Sequence, residues 1–294
     1  MKVFLTGATG FIGSAIVPEL INAGHQVLGL ARSDAGANFL AAAGAQVLRG
    51  DLQDLESLRN GAANSDGVIH CAFIHDWSRF QENCEIDRRA IETLGAVLEG
   101  SDRPLLVTSG LALLAKNRLA TEDDAPVPTS ASYPRASETT AVSLMARGVN
   151  VSVVRLPQVH DTVKQGLITY AIEVARQKGV SAYLGDGSSR WAAAHVLDTA
   201  RLYRLALEKR ESGARYHAVA EEGVLLRDIA EAIGRGLKVP VVAMSPEVAA
   251  AHFGWLGRFA GLNLTASSAL TQERLGWHPT GPGLIADLEQ MRYS

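Results

Sequence analysis

Three glycines near the start of the chain have the spacing of a phosphate-binding turn. An apolar run at residues 3–5 leads into TGATGFIG, with glycines at 7, 10 and 13, and residues 14–23 read as a helix. Glycine permits a tight turn, close approach of the backbone to a pyrophosphate, and close helix–strand packing. The amide groups and the dipole at a helix N-terminus favour an anion. The pattern predicts a dinucleotide site formed by Gly7, Thr9, Gly10, Phe11, Ile12 and Gly13.

The end of the second predicted strand carries the residues that would select between NAD and NADP. NAD sites place a carboxylate about 20 residues after the glycines, on the ribose 2′-hydroxyl, whereas arginine there accommodates a 2′-phosphate. Arg32 occupies this position and Ser33 adds a hydroxyl, so the sequence favours NADP over NAD. The alternative is that Arg32 is a solvated loop cation and that Asp34 binds the ribose.

The composition is that of a globular protein with a sizeable core. The chain has 294 residues, of which 47% are hydrophobic and 20% charged, and its net charge is −3. Without a long basic run, this balance argues against nucleic acid or an anionic membrane as the main partner. Cys71 and Cys84 lack metal-site spacing, which predicts reduced packing thiols and no metal. The sequence shows no signal-peptide pattern and no apolar run of membrane-spanning length, and we expect a cytoplasmic protein.

Short β-branched runs alternate with helical stretches through the first half of the chain. Strands are predicted at residues 2–6, 26–31, 45–49, 67–71, 104–108 and 151–156, and helices at 13–23, 55–63, 87–100 and 133–147. Such alternation predicts an α/β fold with a doubly wound Rossmann parallel sheet. Prolines and glycines break the regularity after residue 156. We therefore predict a dinucleotide-binding domain at 1–156, to which 190–220 returns, and a small C-terminal α/β substrate lobe formed by 157–189 and 221–294.

Several segments, in chain order, resemble the extended short-chain dehydrogenase/reductase proteins, also called the NAD(P)-dependent epimerase/dehydratase family. Besides the glycine turn they are GDL at 50–52, VIHCA at 68–72, VTS at 107–109, RLP at 155–157, GDG at 185–187 and HVLD at 195–198. The resemblance implies further cofactor contacts at Asp51, Leu52, Cys71, Ala72 and Pro157. Asp51 equally suits the N-cap of the helix that follows it.

The resemblance also implies two catalytic residues. Ser109 lies just past a predicted strand, at the sheet edge where open α/β proteins bind ligands, and Tyr133 opens the predicted helix at 133–147. Carbonyl reduction needs a donor that binds the substrate oxygen and an acid that protonates it. These two side chains match those roles. The alternatives are that Ser109 is a turn serine and that Tyr133 is a packing aromatic residue.

Two positions depart from the family pattern. Ser137 stands where the family's Tyr-x-x-x-Lys motif has lysine, and the usual asparagine of the fourth helix is here Asp87 or a neighbour. Because an unassisted tyrosine has a pKa of about 10, it is a weak acid–base group near neutrality. Within a helix, Arg135 would lie on a different face from the tyrosine. The remaining candidate cations are two loop lysines, Lys116 and Lys164.

These features predict an NADP-dependent oxidoreductase that reduces a small, mostly apolar carbonyl compound. The alternatives are a sugar-nucleotide epimerase or dehydratase and a catalytically silent NADP-binding sensor, which the missing lysine favours. His160 and Trp191 are candidate substrate contacts, although a structural histidine and a core tryptophan are the alternatives. The family resemblance and an apolar stripe on the predicted 87–100 helix further predict a homodimer formed through the helices at 87–100 and 133–147. The alternative is that the stripe faces the protein's own sheet.

Overall fold

The central element of the fold is a seven-stranded sheet, seen in a computed structural model that describes residues 1–115 and 118–293. All of its strand pairs are parallel, and the strand order is β10-β6-β5-β4-β1-β2-β3. The direction of winding reverses between β1 and β4, and ligands of open α/β sheets bind at such a switch point. The strands are β1 (Lys2–Thr6), β2 (Gln26–Ala31), β3 (Gln46–Arg49), β4 (Gly67–His70), β5 (Leu105–Gly110), β6 (Val151–Leu156) and β10 (Arg215–His217).

Helices cover both faces of this sheet, as the sequence predicts for a doubly wound fold. One face carries α1 (Phe11–Asn22), α2 (Asp34–Ala42) and α7 (Val196–Lys209), and their apolar residues share a buried cluster with the sheet. The other face carries α3 (Leu55–Ala63), α4 (Phe80–Leu98) and α5 (Ser137–Ala146), which contribute to a second cluster. A 3₁₀ helix, Trp77–Arg79, leads into α4. The predicted fold class is confirmed.

The C-terminal part of the chain builds two small sheets and a third buried core. One sheet has the order β11-β9-β7 and the other pairs β12 with β8. Within 190–220, β10 is a strand of the central sheet and α7 packs on that sheet, whereas β9 lies in the three-stranded sheet. The two-domain division itself stays a prediction. The remaining strands are β7 (Gln158–His160), β8 (Ser181–Leu184), β9 (Arg190–His195), β11 (Glu221–Leu225) and β12 (Val241–Met244). The remaining helices are α6 (Ile168–Lys178), α8 (Leu226–Leu237), α9 (Pro246–Phe253), α10 (Gly257–Ala260), α11 (Ala269–Leu275) and α12 (Leu284–Gln290), with a 3₁₀ helix at Gly254–Leu256.

The helix predicted to start at Tyr133 starts later. Tyr133 lies in a turn in which its amide donates to the carbonyl oxygen and the Oγ of Ser130, at 3.1 Å each, and α5 begins only at Ser137. Pro134 explains the delay, because the residue before a proline is sterically disfavoured in helical conformation. The Ser130 hydroxyl also competes for the amide that a helix would use. Tyr133 therefore lies outside the helix that contains Ser137, and the predicted helix start is wrong.

The apolar stripe on α4 packs inside the chain itself. Ile91, Leu94 and Leu98 are fully buried against the sheet and α5. A side chain at Gly95 would meet Leu144 of α5 at 2.4 Å, so the two helices are in close contact. The stripe is thus not available for a second subunit, and the homodimer stays a prediction that depends on the family resemblance. Among the residues described, no helix is both long and apolar enough to cross a bilayer.

A fully buried arginine on β6 fixes the first turn of α5. Arg155 donates from Nε and Nη2 to the two carboxylate oxygens of Glu138, at 3.0 and 2.6 Å. Its Nη1 faces Nε2 of His217 at 3.1 Å, and Nδ1 of His217 lies 2.7 Å from the carbonyl oxygen of Ser267. Because the guanidinium only donates, His217 accepts at Nε2 and donates at Nδ1. The fold therefore requires neutral His217.

We expect the protein to lose stability in mild acid because of His217. Burial lowers the pKa of His217 to about 4 from its ordinary 6.5, and Arg155 adds to that shift. Below pH 6.5 the unfolded chain binds a proton that the folded chain excludes, so the free energy of unfolding falls as the pH drops from 6.5 towards 4, by up to about 3 kcal/mol. Urea unfolding at pH 7, 6, 5 and 4 measures this, and a His217→Gln variant with the same decline would contradict the assignment.

Candidate cofactor and active site

The glycine turn joins β1 to α1 with no room for side chains at two of its positions. Gly7 has a φ of +73°, and a Cβ there would lie 2.8 Å from the amide nitrogen of Ala72. A Cβ on Gly13 would lie 2.0 Å from the carbonyl oxygen of Gly7. At Gly10 the nearest atom to such a Cβ is 3.2 Å away, again the oxygen of Gly7. Gly7 and Gly13 are thus needed for internal packing, and Gly10 leaves the backbone open on its outer side.

The first turn of α1 offers backbone donors to an anion. Gly10 is the N-cap and provides no side-chain hydrogen bond, and no acidic residue lies in the first turn. The leading amides of a helix have no intrahelical partner, and the helix dipole favours negative charge there. Thr9 and Gly10 are exposed beside Phe11 and Ile12. The residues present therefore fit a dinucleotide pyrophosphate, as the sequence predicts.

Two arginines, rather than the one predicted, lie at the neighbouring ends of β2 and β3. Arg32 is exposed, and Ser33 caps α2 by accepting the amide of Gly36 at 3.1 Å. Arg49, at the end of β3, donates to the carbonyl oxygen of Arg32 at 3.2 Å and pairs with Asp34 at 3.0 Å. Sequence reasoning missed Arg49, although its place at the end of the strand next to β2 was the available signal. Asp34 is thus engaged by a cation.

The remaining predicted cofactor residues lie along the same sheet edge. Asp51 accepts the amides of Gln53 and Asp54 at 2.7 and 3.2 Å, while Asp54 is the N-cap of α3. Asp51 therefore shapes the turn and does not cap the helix. Leu52 is buried. Cys71 and Ala72 follow β4 under the glycine turn, and Pro157 lies between β6 and β7.

Ser109 and Tyr133, the two predicted catalytic residues, line one small cavity. Ser109 is almost fully buried near the end of β5, and Tyr133 reaches the cavity from the turn before α5. Arg135 and Glu138 contribute to the same wall. Burial raises the pKa of the Tyr133 hydroxyl, and the nearby Arg135 guanidinium opposes that rise. The arrangement brings a hydroxyl donor and a weak acid to one place at the carboxyl edge of the sheet.

A buried chain of hydrogen bonds connects the start of α5 with the glycine turn. The Ser137 hydroxyl donates to one carboxylate oxygen of Asp87 at 2.6 Å, and His70 Nε2 lies 3.1 Å from the other. His70 Nδ1 is 2.9 Å from Thr6 Oγ1, which in turn accepts the amide of Ala72 at 3.4 Å. Asp87, Ser137, His70 and Thr6 are all fully or almost fully buried. Ser137 therefore occupies a defined place in a network, next to Asp87 of α4.

Arg135 lies beside this network rather than on a helix face. Its Nε donates to Ser137 Oγ at 3.0 Å, and its guanidinium carbon stands 4.5 Å from the ring centroid of Phe73. The expectation that Arg135 faces away from the tyrosine is wrong, because residues 133–136 are not helical. Of the two loop lysines, Lys164 is exposed in a turn, where its backbone amide donates to the Asp161 carboxylate. Lys116 lies outside the described residues.

The two predicted substrate contacts are buried away from the residues that line this cavity. His160 has no exposed surface, and its Nδ1 lies 2.7 Å from Asp287 of α12. The indole nitrogen of Trp191 donates to the carbonyl oxygen of Leu262 at 3.1 Å within the C-terminal core. Both sets of contacts join C-terminal elements to one another, and substrate contact at either residue stays a prediction. The described residues contain no group of three or more side chains suited to a metal ion.

Comparison with known proteins places the chain in a family. The model of the NAD dependent epimerase/dehydratase family matches residues 3–220. An uncharacterized protein of Schizosaccharomyces pombe is 46% identical over the whole of both chains. A decarboxylating sterol-4-alpha-carboxylate 3-dehydrogenase of Dictyostelium discoideum is 27% identical over 77% of this chain and 73% of its own. The dTDP-glucose 4,6-dehydratase of Streptomyces venezuelae, solved with NAD, has the same fold, with a TM-score of 0.78 at 19% identity, over 99% of this chain and 96% of that one. The chain therefore belongs to the NAD-dependent epimerase/dehydratase family.

Proposed function

We propose that this protein is an NADP-dependent oxidoreductase that reduces a small, mostly apolar carbonyl compound. The observation that carries the proposal is the shared cavity of Ser109 and Tyr133 at the carboxyl edge of the sheet. The glycine turn lies at the switch point of the same edge, where a bound dinucleotide extends towards that cavity. The dehydrogenase name of the Dictyostelium relative is in keeping with redox chemistry at a carbon–oxygen bond.

The hydroxyls of Ser109 and Tyr133 have different roles at the substrate oxygen. NADPH, when bound, supplies the hydride. Ser109 donates a hydrogen bond to the carbonyl oxygen, which makes the carbonyl carbon more electrophilic and stabilises the developing negative charge. Tyr133 delivers its phenolic proton to that oxygen, so hydride and proton together convert the carbonyl to an alcohol. The tyrosinate left behind recovers a proton from solvent.

The two arginines at the ends of β2 and β3 support the choice of NADP. A 2′-phosphate on the adenine ribose would meet two guanidinium groups, because Arg49 already contacts the backbone of Arg32. Arginine binds phosphate in a bidentate manner and remains charged at all working pH values. Asp34, the carboxylate that could instead bind the ribose 2′-hydroxyl of NAD, is paired with Arg49.

We expect Arg32→Ala and Arg49→Ala each to weaken NADP binding by about 1.5–3 kcal/mol, roughly a 10- to 150-fold loss in affinity. NAD affinity should change little, since NAD lacks the 2′-phosphate. Isothermal titration of both cofactors measures the change. Arg59→Ala is the control, because Arg59 is an exposed arginine of α3 that pairs with Glu56. A wild-type preference for NAD, or an equal loss for both cofactors, contradicts the NADP proposal.

The alternative enzyme reading is a sugar-nucleotide epimerase or dehydratase, and the shared fold with the dTDP-glucose 4,6-dehydratase favours it. A silent NADP-binding sensor is the third reading. Oxidation of NADPH, followed by its absorbance across a panel of ketones and aldehydes, tests the main proposal. Consumption of NADPH with formation of an alcohol supports the reductase. Turnover of UDP-glucose or dTDP-glucose without net NADPH consumption supports the alternative, and tight NADP binding without turnover of any compound supports the sensor.

A further inference from the structure

One permanent positive charge borders the cavity that holds Ser109 and Tyr133. Arg135 lines that cavity with both of them. Two contacts fix its guanidinium: Nε donates to Ser137 Oγ at 3.0 Å, and the guanidinium carbon lies 4.5 Å from the centre of the Phe73 ring. An arginine does not lose its proton in proteins, and its planar group suits both a directed hydrogen bond and an aromatic face. The charge is therefore both constant and held in place.

The serine at 137 explains how that charge is held. Its hydroxyl accepts from Arg135 and donates to Asp87 at 2.6 Å, so a single small side chain links the guanidinium to a buried carboxylate. Asp87 is independently fixed by His70, at 3.1 Å. Because Asp87 and Ser137 are 2% and 1% exposed, water does not compete for these bonds. The Ser137 hydroxyl thus holds the guanidinium of Arg135 in position.

We propose that Arg135 is the positioning residue that provides the charge of the absent lysine: it stabilises the ionised form of Tyr133, and Ser137 and Asp87 hold it in place for that task. The inference rests on the proposed function for the role of Tyr133. It also accounts for three residues together, since Ser137, Asp87 and Arg135 form one connected set on α4 and at the start of α5.

The other charged or titratable groups near Tyr133 do not supply this effect. Glu138 of α5 and the Cys84 thiol of α4 both act against the tyrosinate, as does burial, and each raises the pKa of Tyr133. Arg155 of β6 acts in the favourable direction, but its guanidinium is engaged by both carboxylate oxygens of Glu138. Arg135 has the stronger effect of the two arginines.

A tyrosine titration of the full-length protein tests the proposal. The chain has 6 tyrosines, and their ¹³Cζ NMR signals report ionisation, with Tyr133 assigned by its loss in Tyr133→Phe. We expect Arg135→Gln to raise the pKa of Tyr133 by about one unit, a tenfold fall in its acid dissociation constant. Arg135→Lys should stay near wild type, and Arg135→Gln with Ser137→Lys should return the pKa towards it. Arg59→Gln is the matched control, because Arg59 is an exposed residue of α3 and does not line the cavity.

An unchanged Tyr133 pKa in folded Arg135→Gln overturns the proposal. Should that variant not fold, Ser137→Ala takes its place, because it removes the one hydroxyl that links Arg135 Nε to Asp87 and leaves both of those side chains in the chain. A raised pKa there supports the proposal, and an unchanged one overturns it. The titration uses no substrate, so its outcome is separate from that of the carbonyl panel. If no compound of the carbonyl panel is turned over, the proposed reductase function is wrong. The dependence of the Tyr133 pKa on Arg135 is decided by the titration alone.

Discussion

Replacing Tyr133 with phenylalanine is expected to lower the turnover of a carbonyl substrate by about 10²–10⁴-fold. The reason is that phenylalanine keeps the ring but removes the proton that the substrate oxygen receives. Affinity for NADP should be nearly unchanged, because the proposed cofactor contacts at the glycine turn, Arg32 and Arg49 are to the distant part of the cofactor. Steady-state kinetics with a substrate found in the panel, together with NADPH titration by fluorescence, measures both quantities.

The control for this prediction is Tyr183→Phe. Tyr183 lies on β8 of the C-terminal part, and its ring is 5.6 Å from the guanidinium carbon of Arg227 rather than in the Ser109 cavity. It should retain wild-type turnover. Full activity in Tyr133→Phe would show that the proton comes from elsewhere, with a chain of water molecules as the next candidate.

A second large effect is expected at Gly13, where alanine should abolish measurable NADP binding. The added methyl carbon would lie 2.0 Å from the carbonyl oxygen of Gly7 and 2.7 Å from its carbonyl carbon. Both are backbone atoms, so the clash is relieved only if α1 moves away from the turn. Such a shift would misplace the amides that we propose bind the pyrophosphate, and we expect a loss of at least about 100-fold in NADP affinity, since each tenfold costs roughly 1.4 kcal/mol.

Gly257→Ala is the matched control for the glycine turn. A Cβ at Gly257 would meet its nearest neighbour at 3.6 Å, an ordinary contact, and the residue lies in α10, away from the cofactor loop. NADP binding and the melting temperature should stay near wild type. If Gly13→Ala binds NADP with wild-type affinity, the turn does not hold the pyrophosphate as proposed.

Local patterns accounted for most of the nucleotide-binding half of the fold. The strands at 2–6, 26–31 and 151–156 have the same bounds in the structure as in the prediction. The first and last of these runs are followed by Gly7 and Pro157, and glycine and proline interrupt a strand through short-range backbone effects. The glycine turn was predictable for the same reason, because its spacing and its flanking elements lie within one β–α unit.

The candidate site was only partly predictable, since its main contacts join residues far apart in the chain. Ser137 meets Asp87 across 50 residues, and His70 meets Thr6 across 64. The start of α5 depended on a competition between a favourable first-turn proline and the restriction that Pro134 places on Tyr133. The restriction from Pro134 prevailed, so residues 133–136 are not helical. The prediction for Arg135 was wrong because it assumed a helix at these residues.

Long-range contacts also determine the surroundings of His160, which lies 127 residues from its partner Asp287. A buried histidine paired with a carboxylate and a loop histidine that faces substrate have the same local sequence signals. The structure distinguishes them only through α12, an element near the end of the chain. The same holds for Arg49, whose relevance depends on the pairing of β3 with β2.

The placement of α7 has a consequence for dividing this chain into pieces. Leu202, Tyr203 and Leu207 of α7 share a buried core with Ile16 and Leu20 of α1, the helix that follows the glycine turn. A fragment ending at residue 156 would lack α7 and β10 and would present that apolar surface to water. The residues that complete the central sheet and its helices are therefore not contiguous in the sequence, because α7 and β10 follow segments that belong to the C-terminal part. A truncated or grafted fragment must include residues up to 217 to retain this core.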